Sequence, residues 1–355
     1  MYWPSSPGHS LTPPESDQIY GSGDNHYWGV WHGGDGFEAF EKNIGRFLSE
    51  YGMQSFPEMG TIMKFAEEKD LDVNSKIMKD RQKASLGTGN LIKYIEDYFS
   101  PQTDFRSIVV LSQIMQALAI KAAVEIHRRS MPFCMGTLYW QFNDCWPAIS
   151  WSSVDYFGNW KALHYHAKRF FNEIIIVIHE KEERIQISVI NDKHKKVESR
   201  IQFQLLTFEG LILHEKTFDY TIAEASSNIV YSFEKKRYLK GQNLSNLFIH
   251  AEIRKGKKVV CKNKYFFALP KDLNLPASSF NYETRKVDEM ISIQIHAVTF
   301  IYQLHITCNN AAGVFSDNYF DLLSGETVTI YFTPSDNSID SKYDFSLNTA
   351  KDIIN

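Results

Sequence analysis

Gly45-Arg46-Phe47-Leu48-Ser49-Glu50-Tyr51-Gly52-Met53-Gln54-Ser55-Phe56-Pro57 is a short apolar run that ends on a carboxylate and a Tyr-Gly pair. A strand that stops on a charged residue is the pattern of barrel enzymes, which carry functional groups at the C-terminal ends of their parallel strands. Working outward, residues 56–130 read mainly as helix. Ile108, Leu111, Met115, Leu118, Ala119 and Ala122 recur at helical spacing between Phe105 and Arg129, and Asp104 stands where an N-cap belongs. Phe133 to Phe142 then reads as a buried strand, and Trp160 to Phe171 as a second amphipathic helix. Strand, helices, strand, helix is a βαβα order, which implies a parallel sheet.

After Phe171 the period changes to two. Ile185, Ile187 and Val189 alternate with polar residues, as do Ile201, Phe203 and Leu205, and further strands are expected at 211–220, 228–234, 246–254 and 258–267. Strands at this spacing with no helix between them predict an antiparallel sandwich over 172–269. Pro270 to Pro276 reads as a linker. A second strand-rich unit is expected over 277–355, with strands near 291–299, 301–308 and 327–333. The fold class is therefore multidomain, α/β over residues 1–171 and all-β beyond.

The chain has 355 residues, enough for two or three domains, and a formal charge of −4. Acidic and basic residues are nearly balanced on both sides of residue 171, which argues against nucleic acid as a partner. No run of eighteen consecutive apolar residues predicts a membrane span. The Met1-to-Gly8 start has no basic-then-apolar leader pattern. Cys134, Cys145, Cys261 and Cys308 are widely spaced and read as separate thiols, not as a zinc or disulfide framework. All seven tryptophans lie in the first 160 residues. Their flat apolar faces suit sugar rings as well as cores.

Four segments in one order carry a resemblance. They are Tyr2-Trp3-Pro4-Ser5-Ser6-Pro7, the Glu50 run, Leu138-Tyr139-Trp140-Gln141-Phe142-Asn143-Asp144-Cys145-Trp146-Pro147, and Ser150-Trp151-Ser152-Ser153-Val154-Asp155-Tyr156. Trp160-Lys161-Ala162-Leu163-His164-Tyr165 continues the match. Together they resemble the carboxyl-terminal portion of a β-mannosidase of glycoside hydrolase family 2. The resemblance implies an incomplete carboxyl-terminal part of a (β/α)₈ barrel followed by two immunoglobulin-like β-sandwiches. It also implies a retaining exo-enzyme that removes terminal β-linked mannose, using no metal and no cofactor.

A retaining glycosidase needs a carboxylate nucleophile and a carboxylic acid about 5–5.5 Å apart. By resemblance Glu50 is the nucleophile, with Tyr51 and the His26/His32 region as its hydrogen-bond donors. Trp140 is the implied wall for the mannose ring, and Asn143 and Asp144 are implied to reach hydroxyls from the same loop. Trp28, Trp31 and His32 border the subsite. Trp146, Pro147 and Trp151 shape the loop. Asp24, His26 and His32 imitate a metal set in composition only.

The family's acid/base is a Glu after Asn, upstream of the Trp-Pro-Ser-Ser-Pro segment. Asn172-Glu173 is the only Asn-Glu pair here and lies beyond the last barrel helix. The expectation is a piece of a longer enzyme, inactive alone, whose partners are a β-mannoside glycan and the missing amino-terminal portion. The family implies a periplasmic, secreted or lysosomal setting. Two alternatives remain open: another family 2 exo-glycosidase, acting on galactosides, glucuronides or glucosaminides, and a non-catalytic carbohydrate-binding module.

Overall fold

The computed structural model describes residues 5–7, 23–335 and 342–354. Tyr2, Trp3 and Pro4 of the first motif lie outside the described residues. Two short strands, β1 (Asn25–His26) and β2 (Leu48–Glu50), pair in parallel, with His26 opposite Glu50. Four helices follow: α1 (Met59–Ile62), α2 (Lys76–Arg81), α3 (Gly87–Tyr98) and α4 (Phe105–Arg129). Asp104 caps α4 as expected, its carboxylate accepting from the Ser107 N–H. α4 is long and apolar enough to cross a membrane by length and composition, but 72% of its most apolar window is buried inside the fold. It is the core helix, packed on α5 (Ala162–Phe170) and α3.

The segment 133–142 departs from the expected buried strand. It runs parallel to β2 through the bonds Leu48 N–H to Gly136 O (2.9 Å), Leu138 N–H to Leu48 O (2.8 Å) and Trp140 N–H to Tyr51 O (2.8 Å). Among the described residues it joins β2 as an isolated parallel bridge between Leu48 and Thr137 and not as a continuous ladder. Phe133, Met135, Leu138, Trp140 and Phe142 are all exposed, Met135 to 62%. The reason is one-sided pairing. Among the described residues, 135–140 bond to the β2 side alone and 141–142 to residues 151–154, so the exposed apolar side chains have no second strand beside them.

Two antiparallel sandwiches complete the chain. In the first, β3 (Ile174–Lys181), β4 (Arg184–Asn191) and β7 (Ser226–Glu234) face a sheet ordered β6 (Ile212–Ile222), β5 (Val197–Thr207), β8 (Leu247–Lys255), β9 (Lys258–Phe266). Ile185, Ile187, Val189, Ile201, Phe203 and Leu205 meet in its core, so the period-two reading identified the inward faces. The period-two reading missed β3. Ile174-Ile175-Ile176-Val177-Ile178 shows no alternation because one face enters that core while Ile175 and Val177 pack with Ile190 and Met131.

In the second sandwich, β10 (Phe280–Val287), β11 (Met290–Ala297), β15 (Thr327–Pro334) and β13 (Gly313–Phe315) form one sheet. β14 (Phe320–Leu322), β12 (Ile301–Cys308) and β16 (Phe345–Asn348) form the other. A single apolar cluster runs from Trp31, Tyr51 and α4 through Phe208, Phe248 and Leu275 into Ile293, Ile301 and Phe332. The linker is part of this packing: Leu273 and Leu275 are buried, and the Lys271 ammonium donates to Glu96 O.

Candidate active site

Parallel pairing sets the site. Because residue 26 lies opposite residue 50 at the C-terminal end of both strands, the His26 ring and the Glu50 carboxyl share one rim. His26 Nδ1 stands 3.3 Å from Glu50 Oε2, and the Trp28 indole N–H points at the same oxygen at 3.4 Å. The Glu50 side chain is 28% exposed, so it is held by donors and still open to a ligand. One carboxyl oxygen is thus shared by the His26 imidazole and the Trp28 indole N–H.

Behind His26 lies a chain of hydroxyls. Ser6 Oγ is 3.0 Å from His26 Nε2 and donates to Asp24 Oδ2 at 2.5 Å, and the Ser49 hydroxyl donates to the same oxygen. Ser6 Oγ thus bridges the Asp24 carboxylate and His26 Nε2. Asp24 thereby orients the ring that faces Glu50. Ser6, Asp24 and Ser49 escaped the sequence reading as functional groups, because only their positions within longer motifs marked them.

Gly52 sets the floor. A Cβ there would sit 2.4 Å from Trp140 O, 3.0 Å from Trp151 Cδ1 and 3.1 Å from Trp28 Cη2. The absence of a side chain lets the three tryptophan-bearing segments close around the strand end. Trp28 meets Trp151 edge to face at 6.2 Å and packs beside His32 at 5.2 Å. Trp140 is 43% exposed next to this cluster, and Asn143 and His32 are exposed.

Three expected site residues are placed elsewhere. Trp31 is fully buried and stacks on Tyr94, so its face meets the core and no ligand. Tyr51 is likewise buried. Its hydroxyl is 2.6 Å from Thr137 Oγ1, pointing away from Glu50, and desolvation raises the phenol well above its ordinary range. Asp144 has no side-chain exposure. It accepts from the Ser150 and Ser152 hydroxyls at 2.7 and 2.6 Å, with the Lys83 ammonium 3.5 Å away, and so pins the loop that follows Trp140. All three are short-range consequences of the strand's alternation and of loop chemistry, which a motif match does not resolve. Among the described residues no group of three His, Cys, Asp or Glu side chains is placed to hold a metal.

A mannosidase Ig/CBM-like domain model matches residues 183–272, and an Ig-fold domain model of mannosidases matches 275–353. The β-mannosidase of Capra hircus is 28% identical over 91% of this chain and 39% of its own length. That of Rattus norvegicus is 33% identical over 52% of this chain and 22% of its own length. The solved β-D-mannosidase of Dictyoglomus thermophilum superposes with a TM-score of 0.84 at 31% identity, over 92% of this chain and 40% of that one. The exo-chitosanase CsxA of Amycolatopsis orientalis shares the fold, with a TM-score of 0.71 at 14% identity. The chain spans about two fifths of the length of the relatives it matches along most of its own.

Proposed function

We propose, for a chain related to the β-mannosidases of glycoside hydrolase family 2 and corresponding to their carboxyl-terminal portion, that it is the nucleophile-bearing part of a retaining exo-β-mannosidase. The observation that carries this reading is the Glu50 carboxylate, set at a strand end with His26 Nδ1 and the Trp28 indole N–H beside one oxygen. The Glu50 side chain is 28% exposed and Trp140 43% exposed, and Trp140 is taken as the wall for the sugar ring. In the first step Glu50 attacks the anomeric carbon and the glycosidic oxygen leaves with a proton from a carboxylic acid. In the second, water, deprotonated by the same acid/base group, displaces Glu50 and restores the original configuration.

The acid/base is assigned to the polypeptide that supplies the remaining barrel strands, so the 355-residue chain alone is inactive. Two features fit: the half-paired segment 133–142, and the two-fifths coverage of relatives. Trp140, Trp28, His32 and Asn143 are the side chains proposed to meet the sugar.

The test uses p-nitrophenyl β-mannoside and an activated 2-deoxy-2-fluoro-β-mannoside. The chain alone should release no nitrophenol. Combined with the amino-terminal portion, it should turn over, and the fluorosugar should label Glu50 by peptide mass spectrometry. Turnover by the chain alone, or a label on another carboxylate, would defeat the proposal.

A further inference from the structure

The core helix α4 carries three polar side chains that are no more than 1% exposed: Ser112, Gln113 and Gln116. Each is bonded to backbone. The Ser112 hydroxyl accepts from the Phe56 N–H at 3.1 Å, and Gln113 Oε1 accepts from the Ala162 N–H at 3.1 Å. Gln116 reaches two segments that close around Glu50.

Its amide is fully committed. Nε2 donates to Met53 O at 2.7 Å and to Trp151 O at 3.0 Å, which uses both of its protons, and a third carbonyl, Ser152 O, is 3.4 Å away. Oε1 accepts from the Ser55 hydroxyl at 2.7 Å. Turning the amide over would set Oε1 against two carbonyl oxygens, so the partners fix its orientation.

These bonds fall where the backbone supplies none. Tyr51 O takes the Trp140 N–H and Ser55 pairs with Ser150. Between them, Met53 O has no hydrogen-bond partner other than Gln116 among the described residues. Trp151 O also accepts from the N–H of Gln141, the residue after Trp140. Gln116 thus supplies a missing rung between the strand of Glu50 and the segment of Trp151. Both lead to the carboxylate. Met53 follows Glu50 on one strand, while the Trp151 ring meets Trp28 edge to face at 6.2 Å and Trp28 donates to Glu50 Oε2 at 3.4 Å.

We propose that Gln116 is a positioning residue for the reaction: its amide holds the strand that carries Glu50 and the Trp151 segment that supports Trp28 at the spacing the attack requires. The inference rests on the reading of Glu50 as the nucleophile. An apolar side chain at 116 would fill the space but leave Met53 O unbonded and the two segments free to shift. A misplacement of about 1 Å at reacting groups can cost about 100-fold in rate.

The experiment compares Gln116→Met, Ser55→Ala and Gln113→Met in the chain assembled with its amino-terminal portion. Gln116→Met should lower kcat on p-nitrophenyl β-mannoside by about 10- to 100-fold, with KM changed by less than about threefold. The rate at which the activated 2-deoxy-2-fluoro-β-mannoside labels Glu50 should fall by the same factor. Ser55→Ala, which frees Oε1 alone, should lower both rates by about 3- to 10-fold. Gln113→Met, equally buried on the same helix but bonded to Ala162 and Tyr319, should keep both rates within about twofold despite its own lost hydrogen bonds. Wild-type rates in Gln116→Met or, where that variant does not assemble, in Ser55→Ala overturn the positioning role and leave the glycosidase reading standing. An equal loss in Gln113→Met does the same. A wild-type assembly that is not labelled on Glu50 overturns both.

Discussion

His26 Nδ1 lies 3.3 Å from Glu50 Oε2 because the parallel register places residue 26 opposite residue 50 at the rim of two adjacent strands. The contact joins a carboxylate to a ring that is itself oriented through Ser6 by Asp24.

In the assembled enzyme, His26→Ala should therefore lower kcat by about 10- to 100-fold, the worth of a hydrogen bond to a charged group. KM should change by less than threefold, since the ring touches the carboxylate and not the sugar. Steady-state kinetics on an aryl mannoside check this, and an unchanged kcat with a raised KM would place His26 against substrate instead.

Gly52→Ala tests the closeness of the three tryptophan segments. The new methyl meets the Trp140 carbonyl at 2.4 Å, a backbone atom that has no rotamer to escape into. Overpacking of this kind costs about 1–3 kcal/mol. The variant should melt several degrees lower and alter the near-ultraviolet circular dichroism of Trp28, Trp140 and Trp151. A wild-type melting temperature would mean that the floor has slack.

The contrast between what the residues foretold and what they hid is physical. α4 was legible because its apolar stripe, its Asp104 cap and its length agree. The β5 and β8 strands were legible where one face is polar. β3 was not, since both its faces are buried and alternation vanishes. Glu50 stood out as a carboxylate ending an apolar run. Tyr51 was placed near it by sequence adjacency, yet it turns into the core because neighbouring residues at a strand end point to opposite sides, and Trp31, expected there with Trp28 and His32, instead stacks on Tyr94 in the core. Ser6 and Asp24 were invisible as partners: they are 18 residues apart, and only folding brings their oxygens together.

Arg128 ties the barrel segment to the first sandwich. Its guanidinium donates to Phe170 O, to Asn172 O at 2.9 Å and to Asp192 Oδ2 at 2.7 Å, from a nearly buried position. Arg128→Ala leaves two carbonyls and a carboxylate without their donor, and breaking a buried pair typically costs about 3–5 kcal/mol. With Asp192 half-exposed, the lower end is expected. Limited proteolysis should cut between residues 171 and 174 in the variant and spare the wild type. Equal resistance in both would show that the apolar packing alone holds the junction.

Glu58 provides a pH test at the junction with the second sandwich. Its carboxyl accepts from the Tyr319 hydroxyl at 3.3 Å, and desolvation, reinforced by nearby Asp155, pushes it up from 4.5 to about 7. Below pH 4.5 the group is protonated whether the chain is folded or not. Between 4.5 and about 7 the folded protein holds a proton that the unfolded chain has released, so this group's contribution to stability falls as pH rises. Above 7 that contribution is lost. Glu58→Gln imitates the protonated form at every pH. It should match the wild type near pH 4.5 and exceed it by roughly 1–3 kcal/mol at pH 8, after allowing for the counter-charge of Lys161. Denaturant titrations at the two pH values decide the matter. A constant difference between variant and wild type would mean that Glu58 does not titrate in this window.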